Sequence, residues 1–332
     1  MKKLLSAMML AATAMLVGCG GEKSEAPAEG DSADGAKKPV SMVLNWFPEM
    51  EHGGFYAAQV QGIYAREGLD VTIAPGGVDV PVIALVATGK YQFGVTNADD
   101  LIMGRAQEAN LVALFAPMQN SPRVIMVHED SGINSLADLK NMTLAMGIGS
   151  GFGAFVKKKF PLENVTLVPY PGSINVFLEN KNFAQQAYNI SEPFVARQNG
   201  GKPKNIFVSE YGYNPYTSIL VVERGYLEAN RDTVRRVVKA SIEGWELYMK
   251  DAVKTNAHIT TLNPQMGPDI LAFGVQEMQA LVFTEEAKEK GLGTMNDERW
   301  SSLVNVMEEV EMIKPGSVNP ADCYTLEFLP SK

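Results

Sequence analysis

The feature that most constrains this 332-residue chain is a succession of short apolar runs separated by helix-like stretches, begun twice. Runs at 41–46, 70–74, 92–96 and 111–116 are of strand length. Between them, 52–67, 80–89 and 99–109 read as helices. The pattern restarts with strands at 123–128, 143–146, 166–168, 186–189 and 205–208. Among these lie a short helix at 135–139, started by Ser135 with Asp138 in its first turn, and a longer one reaching Lys159. The run 218–223 reads as a strand crossing back, and 232–312 as helical, with Val234, Val237, Val238, Ile242 and Trp245 at helical spacing. Strands alternating with helices imply a mostly parallel sheet covered on both faces. The length matches two units of roughly 150 residues each. The expected architecture is α/β: two lobes with a cleft between them and a helical C-terminal segment. Lobe 1 takes 41–120 plus 218–332, and lobe 2 takes 121–217. In open α/β sheets ligands sit beyond the carboxyl ends of the strands, so the residues that follow strands are the informative ones.

The first 40 residues stand apart. Lys2 and Lys3 precede an apolar run, 4–17, that holds no acid. It is too short for a comfortable membrane span and has the shape of a secretory signal. It ends in Leu16-Val17-Gly18-Cys19, which resembles the bacterial lipobox, whose Cys is lipid-modified and becomes the new N-terminus. Residues 1–18 are therefore expected to be a lipoprotein signal peptide and Cys19 the lipidation site. An ordinary signal peptide with an incidental Cys, or a short membrane anchor, is the alternative. Residues 19–40 contain no large apolar residue before Val40, so they cannot bury enough surface to offset chain entropy and read as a disordered tether. The expected location is the bacterial cell envelope, lipid-anchored on the periplasmic or extracytoplasmic face. Only Cys19 and Cys323 are present, which excludes a Cys-rich zinc site and leaves Cys323 without a disulfide partner if Cys19 carries lipid. A net charge of −9 argues against binding to a nucleic-acid backbone.

Five segments after strands carry the chemistry. In Asn45-Trp46-Phe47-Pro48-Glu49-Met50-Glu51-His52-Gly53-Gly54-Phe55-Tyr56, Pro48 ends a strand and Glu49 and Glu51 sit near a helix start, where negative charge is favoured. Two adjacent glycines in a helix need a reason, which close approach of a ligand or of a neighbouring backbone supplies. Trp46 and Tyr56 offer flat faces for an aromatic ligand and His52 a hydrogen bond, or the group is a packed aromatic core with a capping histidine. After 92–96, Asn97 or Asp99 caps the next helix, and free amides there suit a polar ligand atom; Asn97 is expected to do both. Gly147-Ile148-Gly149-Ser150-Gly151-Phe152-Gly153 looks like a phosphate loop but lacks the Gly-Lys-Ser/Thr ending. Its amides before a helix would suit an anion, or it is a turn. In Tyr188-Asn189-Ile190-Ser191-Glu192-Pro193-Phe194, Pro193 is placed to open a helix, with Glu192 at the cap. A carboxylate there favours a ligand with donors and opposes a bare anion. The last segment, Tyr211-Gly212-Tyr213-Asn214-Pro215-Tyr216-Thr217, is either a loop closing over the cleft or a Tyr-rich surface loop.

The stretch from Leu44 to Val71, NWFPEMEHGGFYAAQVQGIYAREGLDV after Leu44, resembles the opening motif of the NMT1/THI5-like family. The resemblance extends over most of 41 to about 312. It implies the type II periplasmic binding protein fold, two α/β lobes joined by a hinge around an interlobe cleft. Bacterial members are solute-binding proteins of ABC importers for thiamine-pyrimidine precursors, with relatives that take riboflavin, sulfonates or nitrate. The resemblance also places the Asn97 turn and the Gly147–Gly153 loop on the cleft, and has Glu192 pair with ring nitrogens and an amino group. The expected ligand-binding set is Trp46, Glu49, His52, Tyr56, Asn97, Ser150, Gly151, Phe152, Glu192 and Tyr216. The expected function is capture, without chemistry or cofactor, of a small planar heteroaromatic solute by hinge closure. A thiamine pyrimidine precursor leads; riboflavin, another vitamin or a sulfonate- or nitrate-type anion is the alternative. The expected partners are an ABC permease and, through the anchor, the membrane; the chain is expected to be a monomer without a metal. Two other classes stay open. Eukaryotic pyrimidine synthases share the opening motif, and His52 matches their histidine, but their Cys-rich motif is missing here, and no nucleophile–base arrangement accompanies His52, His128 and His258. A non-transport lipoprotein, such as a sensor partner, would use the same cleft.

Overall fold

The computed structural model describes residues 36–78 and 80–330. The expected leader 1–18, Cys19 and most of the expected tether lie outside the described residues. Ten strands appear among those described: β1 (Lys38–Val43), β2 (Leu69–Ala74), β3 (Phe93–Thr96), β4 (Leu111–Phe115), β5 (Arg123–His128), β6 (Thr143–Ala145), β7 (Thr166–Val168), β8 (Phe183–Tyr188), β9 (Pro203–Phe207) and β10 (Ile219–Glu223). They form two five-stranded sheets, ordered β2-β1-β3-β10-β4 and β7-β6-β8-β5-β9. β1 is parallel to β2 and β3, while β10 is antiparallel to β3 and β4. β6 is parallel to β7 and β8, while β5 is antiparallel to β8 and β9. The sheets thus share one plan. In each, the antiparallel strand is the one the chain makes directly after passing from the other sheet.

Burial explains the composition of the strands. β3 and β4 are buried along their whole length and read as continuous apolar runs, whereas β2, at a sheet edge, alternates buried Leu69 and Val71 with exposed Asp70 and Thr72. β1 begins three residues earlier than the sequence suggested. Pro39 and Val40 pair with Asp70 and Val71, and Val40 is buried, so the end of the expected 19–40 tether is strand. The expected helix 52–67 is broken. A 3-10 turn Met50–His52 leads into helix Gly53–Val60, and Gly62, at φ +70, stops it before a short helix Ile63–Arg66.

The C-terminal part is five helices, Arg231–Lys250, Val253–Leu262, Pro268–Val282, Glu285–Lys290 and Asp297–Glu309. The first lies along Gly53–Val60. A Cβ at Gly54 would stand 2.1 Å from the Trp245 ring, and one at Gly244 would stand 2.3 Å from the Gly54 carbonyl. The two glycines let the helices meet backbone to backbone, with Phe55 edge-on to Trp245 at 5.9 Å. Among the described residues no helix is long and apolar enough to cross a membrane.

The two segments that pass between the sheets run side by side. The Thr217 N–H donates to the Met118 carbonyl at 3.2 Å, and the Ser121 N–H to Asn214 Oδ1 at 2.8 Å. Arg299, on helix Asp297–Glu309, donates to the Gln119 carbonyl at 2.7 Å and to the Asn214 carbonyl at 2.8 Å, and so ties one passage to the other. Its guanidinium lies over the Tyr216 ring, 4.3 Å from the centroid.

Candidate functional site

A cavity of about 900 Å3 lies where the strand ends of the two sheets face each other. From the first sheet it receives Asn45 and Trp46 after β1, and Thr96, Asn97 and Asp100 at and after β3. From the second it receives Ser150 after β6, Tyr170 after β7, and Gln186, Tyr188, Ser191 and Glu192 at and after β8. These are carboxyl ends of parallel strands, the usual ligand edge of such sheets. Arg123 joins them because β5 is antiparallel, which puts its first residue at the edge where the others end. The cavity continues over an apolar wall made by Val80, Pro81, Ile83 and Met103.

One side of the cavity is a cluster of carboxyl groups. Glu192 is fixed by three donors. The Tyr170 hydroxyl reaches Oε1 at 2.7 Å, and the Tyr188 N–H and the Ser191 hydroxyl reach Oε2 at 2.9 and 2.6 Å. Burial, then the charges of Glu51 and Glu192, push Glu49 well above the ordinary carboxyl range. Burial and the charge of Glu192 raise Glu51 to about 8, against the pull of Arg123. His52 stands behind this cluster, wholly buried, and burial lowers it to about 3. It is a neutral imidazole whose Nε2 lies 3.0 Å from Asn45 Oδ1 and 3.3 Å from Glu51 Oε1.

The other side is organised by Arg123. Its guanidinium lies over the Phe152 and Tyr188 rings, 5.0 Å from each centroid, and donates to the Tyr188 hydroxyl at 3.3 Å. Burial works against its charge, but the field of Tyr188, Asp99, Tyr213 and Asp100 outweighs that and raises its pKa. Among the described residues, no carboxylate lies within ion-pair distance of it. Asp99 accepts from the Tyr213 hydroxyl at 2.7 Å, and burial together with Asp99 raises Asp100 to about 7.

Residues 49–254, more than half of the chain, match the family described as NMT1/THI5 like. The chain belongs to this family. The resemblance read from Leu44 to Val71 therefore holds. Among curated relatives, this NMT1/THI5-like chain is 20% identical over 292 residues to the formylaminopyrimidine-binding protein of Halalkalibacterium halodurans, covering 83% of this chain and 87% of that one. It is 21% identical over 314 residues to the riboflavin-binding protein RibY of Chloroflexus aurantiacus, covering 88% and 86%. The periplasmic aliphatic sulphonate binding protein SsuA of Escherichia coli superimposes with a TM-score of 0.66 at 15% identity, over 86% of this chain and 91% of that one. The fold is the two-lobed type II periplasmic binding protein fold expected from the sequence.

Of the site residues expected from the sequence, this NMT1/THI5-like chain brings Trp46, Glu49, Asn97, Ser150 and Glu192 to the cavity. Asn97 stands at the cap position of helix Ala98–Arg105 without capping it through its side chain. Instead its Nδ2 reaches the Tyr188 hydroxyl at 3.4 Å and its Oδ1 accepts from the Ser218 N–H at 3.3 Å. Ser150 does cap helix Gly151–Lys159, accepting from the Gly153 N–H at 3.1 Å. The other five are elsewhere. His52 backs the wall and reaches the cavity only through Asn45 and Glu51. Tyr56 is core, edge-on to His258 at 5.7 Å, because the glycines beside it face helix Arg231–Lys250 rather than a ligand. Gly151 is buried against the Tyr213 hydroxyl, and Phe152 lies under Arg123 instead of facing the cavity. Tyr216 is buried at the passages, its hydroxyl accepting from the Asn296 N–H at 3.2 Å, so the Tyr-rich loop is a joint and does not close over the cleft. Sequence reasoning missed Arg123, Tyr170, Gln186 and Tyr188. Tyr188 and Gln186 carried a usable signal, since they end a strand just ahead of the Glu192-Pro193 pair.

Proposed function

We propose that this chain is the solute-binding component of an ABC importer and captures a small planar heteroaromatic molecule that bears hydrogen-bond donors. A thiamine pyrimidine precursor is the first choice and riboflavin the second. In this reading Cys19 carries lipid that holds the protein at the extracytoplasmic face, the lobes close on the ligand, and the closed form docks on a permease without turnover. The observation that carries the reading is Glu192, held by Tyr170, Tyr188 and Ser191 at the cleft beside Trp46 and two further carboxyl groups. A carboxylate offers about four acceptor positions, and three are taken here, which leaves one for a ring N–H or an amino group. The Trp46 ring lining the same cavity offers a face for stacking. An anion beside Glu192 would meet its carboxylate, which disfavours sulfonate and nitrate there. The two relatives described above are named for nitrogen heteroaromatics, which supports the same class.

The test is a thermal-shift and calorimetric screen of the soluble body against aminopyrimidines, riboflavin, taurine and nitrate. A ligand at 100 times its Kd stabilises by about 2.7 kcal/mol, which is readily seen as a raised Tm. The expected result is saturable stabilisation by an aminopyrimidine or flavin, with no product by mass spectrometry. Glu192→Gln is expected to weaken that ligand about 10-fold or more, the usual loss for a charge-assisted hydrogen bond. Stabilisation by taurine or nitrate alone would falsify the reading.

A further inference from the structure

Arg123 is a half-buried cation whose donors the protein leaves largely unused. A guanidinium carries five N–H groups in a rigid fork. Within the structure the side chain makes one hydrogen bond, at 3.3 Å to the Tyr188 hydroxyl, and no ion pair with a described residue. None of its nitrogens is both buried and unpaired, so the remaining donors are open to the cavity, where water or a ligand can take them. The Phe152 and Tyr188 rings fix the plane of the fork, and Arg123 lines the cavity. Gln186 stands beside it. β5 and β8 pair Arg123 with Tyr188 and Ile125 with Gln186, so Arg123 and Gln186 are diagonal neighbours on one face. Gln186 spends its Oε1 on the Gly147 N–H at 2.8 Å, which leaves its amide N–H groups without a described partner at the cavity.

Tyr188 measures the gap to Glu192. Its main-chain N–H donates to Glu192 and its hydroxyl accepts from Arg123, so the two sites lie about one tyrosine side chain apart. One heteroaromatic ring with a short substituent spans that distance. Resting on the function proposed above, we propose that Arg123, with Gln186, forms a second recognition point that takes a neutral acceptor oxygen of the ligand, a carbonyl or formamide, at the end remote from Glu192. The acceptor is neutral because Asp99 and Asp100 stand near Arg123 without consuming its donors, and Asp100 itself lines the cavity. An anion placed there would gain Arg123 but crowd the neighbouring acids, Asp100 above all, which a neutral oxygen does not.

The experiment uses a matched pair of 4-amino-2-methylpyrimidines, one with a 5-(formamidomethyl) group and one with a 5-propyl group of similar length. Calorimetry measures each on the native protein and on Arg123→Met, Arg123→Lys and Glu192→Gln, and taurine serves as the anionic control. In the native protein the formamide is expected to bind about 10- to 100-fold more tightly than the propyl compound. In Arg123→Met that ratio is expected to fall to about 1–3, with the propyl compound nearly unchanged. Arg123→Lys, which keeps the charge but not the fork, is expected to lose most of the ratio, and Glu192→Gln to weaken both compounds while keeping it. Because the ratio is taken within one protein, partial misfolding of a variant does not disturb it. A ratio that survives in Arg123→Met overturns the role of Arg123 alone. Arg123-dependent binding of taurine overturns the neutral acceptor. Failure of both pyrimidines on the native protein overturns the proposed function itself, and this inference with it.

Discussion

At the scale of residues, burial raises three of the acids around the cavity, Glu49, Glu51 and Asp100. Glu51 is raised from 4.5 to about 8 and Asp100 from 3.8 to about 7. A carboxyl group raised in the folded state stabilises fully below its unfolded pKa, and that contribution is lost as pH rises through the folded value. His52, lowered from 6.5 to about 3, works the other way below pH 6.5 and drops out above it. Between about pH 6.5 and 8 the carboxyl groups act alone. The Tm of the empty protein is therefore expected to fall across that window. In Glu51→Gln the fall should be shallower and the Tm at pH 8 higher; a Tm flat in both proteins would remove the buried acid from the account. Trp46, Glu49 and Glu192 were legible because each follows a strand end with a Pro or a helix start nearby. Arg123 was not, since it opens the apolar run Arg-Val-Ile-Met-Val-His and reaches the cavity only through the antiparallel sense of β5. Tyr56 was misread because two glycines beside an aromatic give the same signal for a ligand as for a neighbouring helix.

At the scale of elements, the contact between Gly53–Val60 and Arg231–Lys250 is set by Gly54 and Gly244. Gly→Ala inside a helix ordinarily gains about 1 kcal/mol. At Gly244 the new Cβ would stand 2.3 Å from the Gly54 carbonyl and 2.7 Å from the Ala58 Cβ, and a backbone carbonyl cannot swing away as a side chain can. Overpacking of this kind costs about 1–3 kcal/mol, with the upper end apt where backbone is struck. Gly244→Ala is expected to lower the Tm by several degrees in a melting experiment while leaving ligand affinity of the folded fraction within about 2-fold. Most strands and helices were legible from periodicity, and their ends shifted by a few residues. Gly62 was the local signal that splits 52–67, and it was outweighed there by the apolar spacing on either side.

At the scale of the molecule, the two-lobed plan was legible because a strand–helix alternation begun twice has few other solutions. Strand order was not, since no local pattern tells β10 to enter between β3 and β4. One side chain reinforces the joint beyond the bonds the two passages make to each other. Arg299 bonds to carbonyls of both passages and covers Tyr216. Hydrogen bonds from a charged group contribute about 1.5–3 kcal/mol each, so Arg299→Met is expected to destabilise by a few kcal/mol in urea titration. It is also expected to enlarge the radius of gyration of the empty protein by small-angle scattering; an unchanged value would mean that the joint is stiff without it.

The place of β10 has a consequence for how the molecule is made. β4 pairs with β10 on one flank, and on the other Ala113 exchanges hydrogen bonds with Cys323 and Thr325. A nascent chain that has yet to reach Ile219 therefore carries Leu111–Phe115 as an apolar ribbon with both margins bare. The second sheet, drawn wholly from residues 123–207, meets no such delay. The later lobe can thus mature while the earlier one waits for it, and a chaperone or a crowded neighbour would find its opening in that interval.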